Sequence, residues 1–257
     1  MRDPLSPMFD LKGKSILITG ASSGIGRATA ILCSRLGASV CLVARDEAKL
    51  AATRALLAPG RHHVISCDVT NYEVLPEVVT GAVREIGPIS GFVHSAGISL
   101  RLPLKLTTPE KFERSLAVNV VSCFEICRHL QAKVNLPESG ASFVFIASVM
   151  GERGQPAKSV YCASKAALVN GARALALELA AKRVRVNCVS PGVVRTEMYE
   201  TLNEMLTPEA HQRIAEAHPL GLGQADDVAN ACAFLLSDAS RWITGTNLNV
   251  DGGYAAQ

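Results

Sequence analysis

Short apolar runs rich in β-branched residues alternate with longer helical segments along almost the whole chain. The runs begin at residues 15–18 and end at residues 246–250. Strand–helix alternation of this kind is typical of a parallel sheet with helices on both faces, and right-handed crossovers give it a doubly wound order. We therefore predict an α/β fold: a single Rossmann-type domain over residues 1–257, with a doubly wound parallel sheet of about seven strands.

The alternation assigns most of the chain but leaves one segment outside the pattern. Strands are predicted at residues 15–18, 39–44, 63–66, 89–94, 142–147, 184–189 and 246–250, and helices at 24–36, 47–57, 72–86, 109–133, 160–182 and 226–236. Residues 197–222 fit least well, because Pro208, Pro219 and Gly221 interrupt a polar helical stretch. We predict that residues 196–222, approximately, form a substrate lid above the strand ends, where open α/β sheets bind ligands.

The composition supports a large core and argues against several classes of protein. Hydrophobic residues make up 48% of the chain and charged residues 19%, which is enough apolar material for a sizeable core. The net charge of +3 comes from scattered Lys and Arg residues, so we expect no nucleic-acid partner. The apolar stretches are too short to cross a bilayer, and residues 1–12 lack the apolar run of a signal peptide. We expect no membrane partner and a cytoplasmic location.

The cysteines and histidines show no metal or disulfide pattern. The eight cysteines form no C-x-x-C pair and lie mostly in apolar runs, so we expect buried, reduced thiols. Cys162 is the exception to watch, because it neighbours Tyr161. The six histidines have no metal-ligand spacing, and we predict no metal site.

A glycine-rich turn follows the first predicted strand and opens the first helix. It reads Thr19-Gly20-Ala21-Ser22-Ser23-Gly24-Ile25-Gly26. Glycines here permit the tight turn, let backbone N–H groups approach a pyrophosphate and let the helix pack closely on the sheet. The helix N-terminus adds unpaired donors and a partial positive charge. We therefore predict that residues 20–26 bind nucleotide phosphates; the alternative is a tight turn with a structural role alone.

The ends of the second and third strands bear on the choice of nucleotide. A site selective for NAD usually has a carboxylate after the second strand, to hold the ribose 2′-hydroxyl. This chain has Ala44 and then Arg45, and a guanidinium binds a 2′-phosphate, so we predict NADPH in preference to NADH. The alternative is a solvated Arg at the start of a helix. Asp68, after the third strand, either accepts from the adenine amino group or caps the next helix.

Three polar residues near the fifth and sixth predicted strands suggest proton-transfer chemistry. Tyr161 and Lys165 are four residues apart on a predicted helix, so they share one face. A free tyrosine has a pKa of about 10, and a neighbouring ammonium stabilises its phenolate. Ser148 follows the fifth strand and supplies a hydroxyl for a substrate oxygen. A Tyr–Lys pair alone is more often a surface contact, but together with the nucleotide turn it indicates an oxidoreductase site.

With these residues in view, the chain resembles the short-chain dehydrogenase/reductase family over essentially its full length. The motifs are the Thr19–Gly26 segment, His94-Ser95-Ala96-Gly97, Asn119, Ser148, Tyr161 with Lys165, Pro191-Gly192 and the closing Val250-Asp251-Gly252-Gly253. The family often has Asn-Asn-Ala-Gly where this chain has His94 to Gly97. We read His94 as a strand residue and not as an acid or base.

The resemblance implies a role for each matching residue. Tyr161 is the general acid in reduction and the base in oxidation, Lys165 lowers its pKa and holds the nicotinamide ribose, and Ser148 orients the carbonyl oxygen. Asn119 would hold a water that links Lys165 to solvent. The remaining implied cofactor contacts are Arg45 with the 2′-phosphate, Asp68 and Val69 with adenine, Ser95, Ala96 and Gly97 with the two riboses, and Pro191, Gly192, Val194 and Thr196 with the nicotinamide.

The resemblance implies a small carbonyl or alcohol substrate, and 3-oxoacyl-[acyl-carrier-protein] reductases are the subfamily that the chain resembles most. Those reductases tend to carry Arg on two helices to meet the acidic carrier, and here these positions fall on Leu177 and about Ala132. Related carbonyl reductases share the other features. A catalytically idle NADP(H)-binding sensor or scaffold is the alternative of another class, and losing Tyr161 or Lys165 would mark it. The family usually forms homo-oligomers, here a tetramer or dimer, through the helices at 109–133 and 160–182 and the last strand.

Overall fold

Seven parallel strands form the central sheet of the structure, a computed structural model that describes residues 9–203 and 207–256. The strands are β1 Ser15–Thr19, β2 Ser39–Ala44, β3 His62–Ser66, β4 Gly91–His94, β5 Ala141–Ile146, β6 Val184–Pro191 and β9 Asn247–Val250, with the short strands β7 Val194–Arg195 and β8 Gly223–Gln224 forming a separate pair. The order across the sheet is β3-β2-β1-β4-β5-β6-β9. This order reverses direction between β1 and β4, as a doubly wound sheet requires, and the predicted fold is confirmed.

Nine α-helices cover the two faces of the sheet in the described ranges. They are α1 Gly24–Arg35, α2 Glu47–Ala55, α3 Leu75–Ile86, α4 Pro109–Leu116, α5 Ser122–Leu130, α6 Ser159–Leu179, α7 Glu197–Asn203, α8 Pro208–Glu216 and α9 Ala225–Leu236. None of the helices in these ranges is both long and apolar enough to cross a membrane.

Two apolar clusters, one on each face, hold the helices to the sheet. Successive strand residues point to opposite faces, so Ile16 and Ile18 pack with α1, α2 and α9, whereas Leu17 packs with α3, α5 and α6. Phe92 and Phe143 are fully buried and meet edge to face at 5.8 Å between ring centroids. Burying each such side chain stabilises the fold by roughly 1.5–3 kcal/mol, so the strand ends that carry the site rest on a rigid base.

The long helix predicted at 109–133 is interrupted and shorter. A π-helical turn, Ala117–Val121, separates α4 from α5, and the helix ends at Leu130. At this turn the Asn119 side chain bonds to the backbone of Ile98 outside the helix, and π-helical turns of this kind are frequent at functional sites. A 3-10 turn, Tyr72–Val74, likewise precedes α3, because Pro76 is tolerated only in the first turn of a helix.

The predicted lid contains two helices, α7 and α8, and residues 204–206 of it lie outside the described residues. The parallel pair β7 and β8 joins the two ends of this segment, with Val194 opposite Gly223. Residues 1–8, on which part of the signal-peptide argument rests, also lie outside the described residues. All eight cysteines are free thiols, and Cys162 is the one that is partly exposed.

Candidate active site

The carboxyl ends of β1 and β4 form the crevice in which the predicted cofactor residues meet. Thr19 and His94 are paired neighbours at these ends, so Gly20 and Ser95 follow side by side. Gly20 has φ 66°, and a Cβ atom there would lie 2.7 Å from the carbonyl oxygen of Ser95 and the nitrogen of Ala96. The close approach of the two loops therefore requires glycine at this position.

The N-terminus of α1 has no side-chain cap from the residue that precedes it. Ser23 precedes the helix without capping it through its side chain, and the first turn carries no acidic residue. By contrast, the Asp46 side chain caps α2 by accepting from the Lys49 N–H. Gly26 has no space for a Cβ atom beside the Gly20 carbonyl, so the turn packs tightly under the helix. Residues 20–26 therefore fit the pyrophosphate of a dinucleotide.

A carboxylate of the lid segment contacts this same helix end, which the sequence did not reveal. Glu197 Oε2 accepts from the Gly24 N–H at 3.0 Å, and its Oε1 lies 3.3 Å from Arg27 Nη1. Thr196 is next to it, since a Cβ on Gly24 would lie 3.2 Å from the Thr196 methyl. The start of the predicted lid is thus adjacent to the predicted phosphate site.

The residues predicted for the adenosine end lie together. Arg45 Nη1 is 3.7 Å from Asp68 Oδ2, and both side chains are largely exposed. Asp68 Oδ1 accepts from the N–H and the hydroxyl of Thr70, so the carboxylate closes the turn after β3. Hydrogen bonds from Thr70, with Arg45 nearby, lower the pKa of Asp68 despite its partial burial. Val69 is buried beside them. Asp68 does not cap the next helix, because the following 3-10 turn begins after Asn71 and has no side-chain cap. The adenine contact of Asp68 stays a prediction.

The three residues predicted for the chemistry converge on one point. Tyr161 and Lys165 lie in the first two turns of α6, and Lys165 Nζ is 5.8 Å from the centre of the Tyr161 ring. Lys165 Nζ also donates to the Ile146 carbonyl at the end of β5, at 2.7 Å. Ser148 follows β5, its hydroxyl accepts from the Met150 N–H, and it lies close enough to the Tyr161 phenol to favour the phenolate. Strand β5 and helix α6 therefore place all three groups in one crevice.

Burial is the largest influence on the pKa values of Tyr161 and Lys165. It raises the pKa of Tyr161 above its usual value, although the Ser148 hydrogen bond acts in the opposite direction. It lowers the pKa of Lys165 to about 8, with the thiols of Cys188 and Cys123 opposing the shift. The sequence suggested a lowered pKa for Tyr161, but in the protein alone this pKa is raised, because desolvation of the phenolate is the largest influence on it.

Asn119 is a buried connector, and its side chain is fully used by protein groups. Its Oδ1 accepts from the Ile98 N–H at 2.8 Å, and its Nδ2 donates to the Ile98 carbonyl and to Ser164 Oγ. A Cβ on Gly97 would lie 3.3 Å from Asn119 Oδ1 and 3.5 Å from Lys165 Nζ. Asn119 therefore ties the loop after β4 to α6 beside Lys165, and the predicted water that links Lys165 to solvent stays a prediction.

His94 is a fully buried strand residue. Its Nδ1 is 3.0 Å from Thr19 Oγ1, which joins β4 to β1. Burial and the nearby Lys165 lower the pKa of His94 to about 3, so the ring is neutral near pH 7. A neutral, inaccessible imidazole agrees with the interpretation of His94 as a strand residue. Ser95 donates its N–H to the Thr19 carbonyl, and Ala96 donates its N–H to Thr19 Oγ1.

The predicted nicotinamide contacts follow β6, and a histidine of the lid segment supports them. Pro191 ends β6 beside β9, and the Gly192 N–H donates to the Val250 carbonyl. His218, which is buried, accepts from the Val193 N–H at 3.0 Å through Nε2, and its Nδ1 lies 2.6 Å from the Ile214 carbonyl. This pattern assigns the proton to Nδ1. The sequence did not single out His218, because a histidine in an irregular segment carries no positional signal.

A family model, curated sequences and solved structures that resemble the chain all indicate the same family. The family model described as enoyl-(acyl carrier protein) reductase matches residues 20–255. A 3-oxoacyl-[acyl-carrier-protein] reductase of Rickettsia felis is 34% identical over 247 residues, which cover 96% of this chain and 98% of that protein. A short-chain type dehydrogenase/reductase from Mycobacterium ulcerans superposes with a TM-score of 0.90 at 32% identity, covering 96% of this chain and 92% of the other.

A third relative is a solved enzyme with its ligands bound. The 7α-hydroxysteroid dehydrogenase complexed with NADH and 7-oxo glycochenodeoxycholic acid superposes with a TM-score of 0.89 at 30% identity, and 96% of each chain is covered. The chain belongs to the short-chain dehydrogenase/reductase family. It is accordingly an oxidoreductase of CH–OH and C=O groups that uses a nicotinamide cofactor.

Proposed function

We propose that the protein is an NADPH-dependent reductase of small carbonyl compounds in which Tyr161 is the general acid. The observation that carries the proposal is the convergence of Tyr161, Lys165 and Ser148 at the switch point of the sheet, beside the glycine-rich turn that opens α1. An idle binding protein has no need of a buried ammonium next to a partly buried phenol, because burying a charge costs free energy.

Each residue has a task that follows from its contacts. When bound, the nicotinamide cofactor supplies the hydride for the carbonyl carbon. Ser148 holds the carbonyl oxygen, and Tyr161 donates its phenolic proton to that oxygen as the alcohol forms. Lys165, held by the Ile146 carbonyl, supplies the positive charge that stabilises the resulting phenolate. Asn119 positions the loop at Gly97 beside Lys165.

The preference for NADPH over NADH rests on the end of β2. Arg45 is exposed there, and its guanidinium is the first charged group after the strand. Its ion pair with Asp68 is open to solvent, so it is weak enough for a 2′-phosphate to replace the carboxylate. The contacts assigned above to residues 20–26, 95–97 and 191–196, and the lid function of residues 196–222, belong to the same proposal.

Reduction of a 3-oxoacyl thioester on an acyl carrier protein is the second candidate. It is favoured by the relatives that share 34% identity over almost the full length, among them the Rickettsia felis reductase. The helix positions expected to carry Arg do not support it, because Leu177 is 82% exposed and apolar. A sensor or scaffold without turnover is the third candidate, and the intact Tyr161–Lys165 pair argues against it.

The test follows NADPH absorbance while the protein is offered ketones, aldehydes, sugars, steroids, acetoacetyl coenzyme A and an acetoacetyl-carrier protein. Oxidation of NADPH with one group of small carbonyl compounds is the expected result. Faster turnover of the carrier-bound thioester than of the coenzyme A thioester would favour the second candidate. Tight NADPH binding by fluorescence with no oxidation on any substrate would favour the sensor and overturn the proposal.

A further inference from the structure

Lys158 lies beside Tyr161, and neither Lys158 nor the neighbouring Arg101 forms a salt bridge in the part of the chain that the structure describes. Lys158 Nζ lies 6.0 Å from the centre of the Tyr161 ring. Lys158 precedes Tyr161 in the sequence, whereas Lys165 follows it. Lys158 is half-buried, and Arg101 is close enough to add to the burial that lowers the pKa of Lys158. The task assigned to Lys165 above does not involve either group.

The backbone holds Lys158 in place at a cost. Ala157, the residue before it, has φ 63°, which is the left-handed region that a non-glycine residue rarely adopts. The Leu102 N–H donates to the Ala157 carbonyl at 2.7 Å, so the loop that carries Arg101 fixes the turn that carries Lys158. Strained backbone of this kind is maintained where a side chain must be aimed.

The nearby carboxylate is occupied elsewhere. Glu152, in the same loop between β5 and α6, accepts a hydrogen bond from Asn247 at 2.9 Å. Lys158 is partly withdrawn from water and Arg101 is exposed. A partly buried charge next to a like charge destabilises the fold unless an opposite charge joins it. The missing counter-charge therefore points to a ligand that brings its own.

We propose that Lys158 and Arg101 form an anion subsite that binds a carboxylate or phosphate carried by the carbonyl substrate. The inference rests on the proposed carbonyl reduction and narrows its substrate class to oxo acids or phosphorylated carbonyl compounds. The anionic group binds within reach of Lys158 while the carbonyl oxygen faces Ser148 and Tyr161. Lys158 and Arg101 determine specificity in this account and take no part in proton transfer.

Lys158 could instead stabilise the Tyr161 phenolate, and steady-state kinetics distinguish that role from anion binding. If Lys158 only stabilised the Tyr161 phenolate, its loss would slow charged and uncharged substrates alike. If it binds an anion, its loss raises KM for the charged substrate alone. Acetoacetate with methyl acetoacetate, and dihydroxyacetone phosphate with dihydroxyacetone, are the matched pairs that distinguish a carboxylate from a phosphate.

The experiment measures kcat and KM for both pairs with NADPH in wild type, Lys158→Met, Arg101→Met and Lys158→Arg. Loss of one charge-assisted contact is expected to raise KM for the charged member by about tenfold or more, while the uncharged member changes less than about twofold. Lys158→Arg is expected to recover most of the loss. Lys105→Met removes an exposed cation of a neighbouring turn and is the control. It should leave the ratio of KM for the charged member to KM for the uncharged member unchanged.

Calorimetry keeps the test independent of turnover. The same four compounds are titrated into the enzyme–NADP⁺ complex, where no reduction occurs. The subsite is supported if the charged member of a pair binds more tightly than the uncharged member and Lys158→Met abolishes this difference. Equal binding within both pairs overturns it. Turnover of methyl acetoacetate or dihydroxyacetone without a preference for charge would reject the subsite and leave the carbonyl reductase standing.

Discussion

Lys165 carries an ammonium group that burial disfavours in its charged form. The ammonium is almost completely buried and has one carbonyl partner, and its pKa falls from the usual 10.5 to about 8. Near pH 7 the group is therefore mostly charged, as the proposed stabilisation of the Tyr161 phenolate requires. The same lowered pKa has a consequence for stability that does not depend on catalysis.

Between pH 8 and 10.5 the unfolded chain holds the Lys165 proton and the folded protein releases it, so the free energy of unfolding rises with pH. Below pH 8 both states hold the proton, and the folded state carries the whole cost of the buried charge, about 3 kcal/mol at most. Urea unfolding at pH 7 and pH 10 measures this. Wild type should gain stability relative to Lys165→Met at the higher pH.

Lys133→Met removes an exposed lysine and is the control for that experiment, with no expected difference between the two pH values. If the gap between wild type and Lys165→Met were the same at pH 7 and pH 10, the lowered pKa of Lys165 would be wrong.

Arg45 decides between the two nicotinamide cofactors. We expect Arg45→Ala to raise the Kd for NADPH by about tenfold or more, the size of a lost charge-assisted contact, and to leave the Kd for NADH nearly unchanged. Fluorescence titration measures both constants. Lys49→Ala removes the next cation along α2, which pairs with Asp46, and serves as the control. Equal losses for the two cofactors in Arg45→Ala would reject the 2′-phosphate contact.

At the scale of elements, the sheet could be predicted because its central strands are buried on both faces. β-branched runs such as those of β2 and β5 have no polar alternation, which is typical of parallel strands between two helical layers. The positions of Tyr161, Lys165 and Ser148 follow from this, because each is fixed by a strand end or a helical spacing. The strands and these three positions could therefore be predicted from local sequence patterns alone.

The rest of the site depends on contacts between segments distant in the chain. The turn Ala117–Val121 contains three valines, which lower helix propensity but do not predict a π-helical turn. Asn119 bonds there to Ile98, 21 residues away. Glu197 reaches Gly24 across 173 residues. No sequence spacing encodes such pairs, so neither the π-helical turn nor the carboxylate at the phosphate site was predicted.

His218 connects the lid segment to the loop after β6. His218→Phe keeps a ring against Tyr254, whose centroid is 4.9 Å away, but removes the acceptor for the Val193 N–H. We expect a loss of about 1 kcal/mol in the free energy of unfolding and weaker cofactor binding, because the half-buried N–H is left unpaired. Urea unfolding and NADPH titration measure the two effects. His218→Gln, which retains an acceptor, should recover part of both, and a fully stable His218→Phe would contradict the account.

At the scale of the whole molecule, α6 and the turn that precedes α5 carry exposed apolar side chains next to a cleft shared by α5 and α6. Leu177 on α6 is 82% exposed and Val121 beside α5 is 44% exposed, and a cleft between these helices is lined by Phe124 and Leu175. Apolar patches of this kind on adjacent helices mark protein interfaces. They support the expected homo-oligomer formed through the helices at 109–133 and 160–182.

We therefore expect Leu177→Asp to lower the assembly mass measured by light scattering at micromolar concentration, because a buried, unpaired carboxylate opposes association. Leu220→Asp is the matched control, since Leu220 is 88% exposed but lies in the lid segment. The control should keep the wild-type mass. A wild-type protein that is monomeric at all concentrations would contradict the expectation.

The central claim is that Tyr161 delivers the proton in an NADPH-dependent carbonyl reduction. Tyr161→Phe removes one hydroxyl from a side chain that α6 already holds, so NADPH affinity and the free energy of unfolding should remain close to wild type. General acid catalysis contributes about 10²–10⁴-fold, and kcat for the best substrate of the panel should fall by at least that factor. Single-turnover absorbance of NADPH measures it. A Tyr161→Phe variant that oxidises NADPH at the wild-type rate would contradict the account.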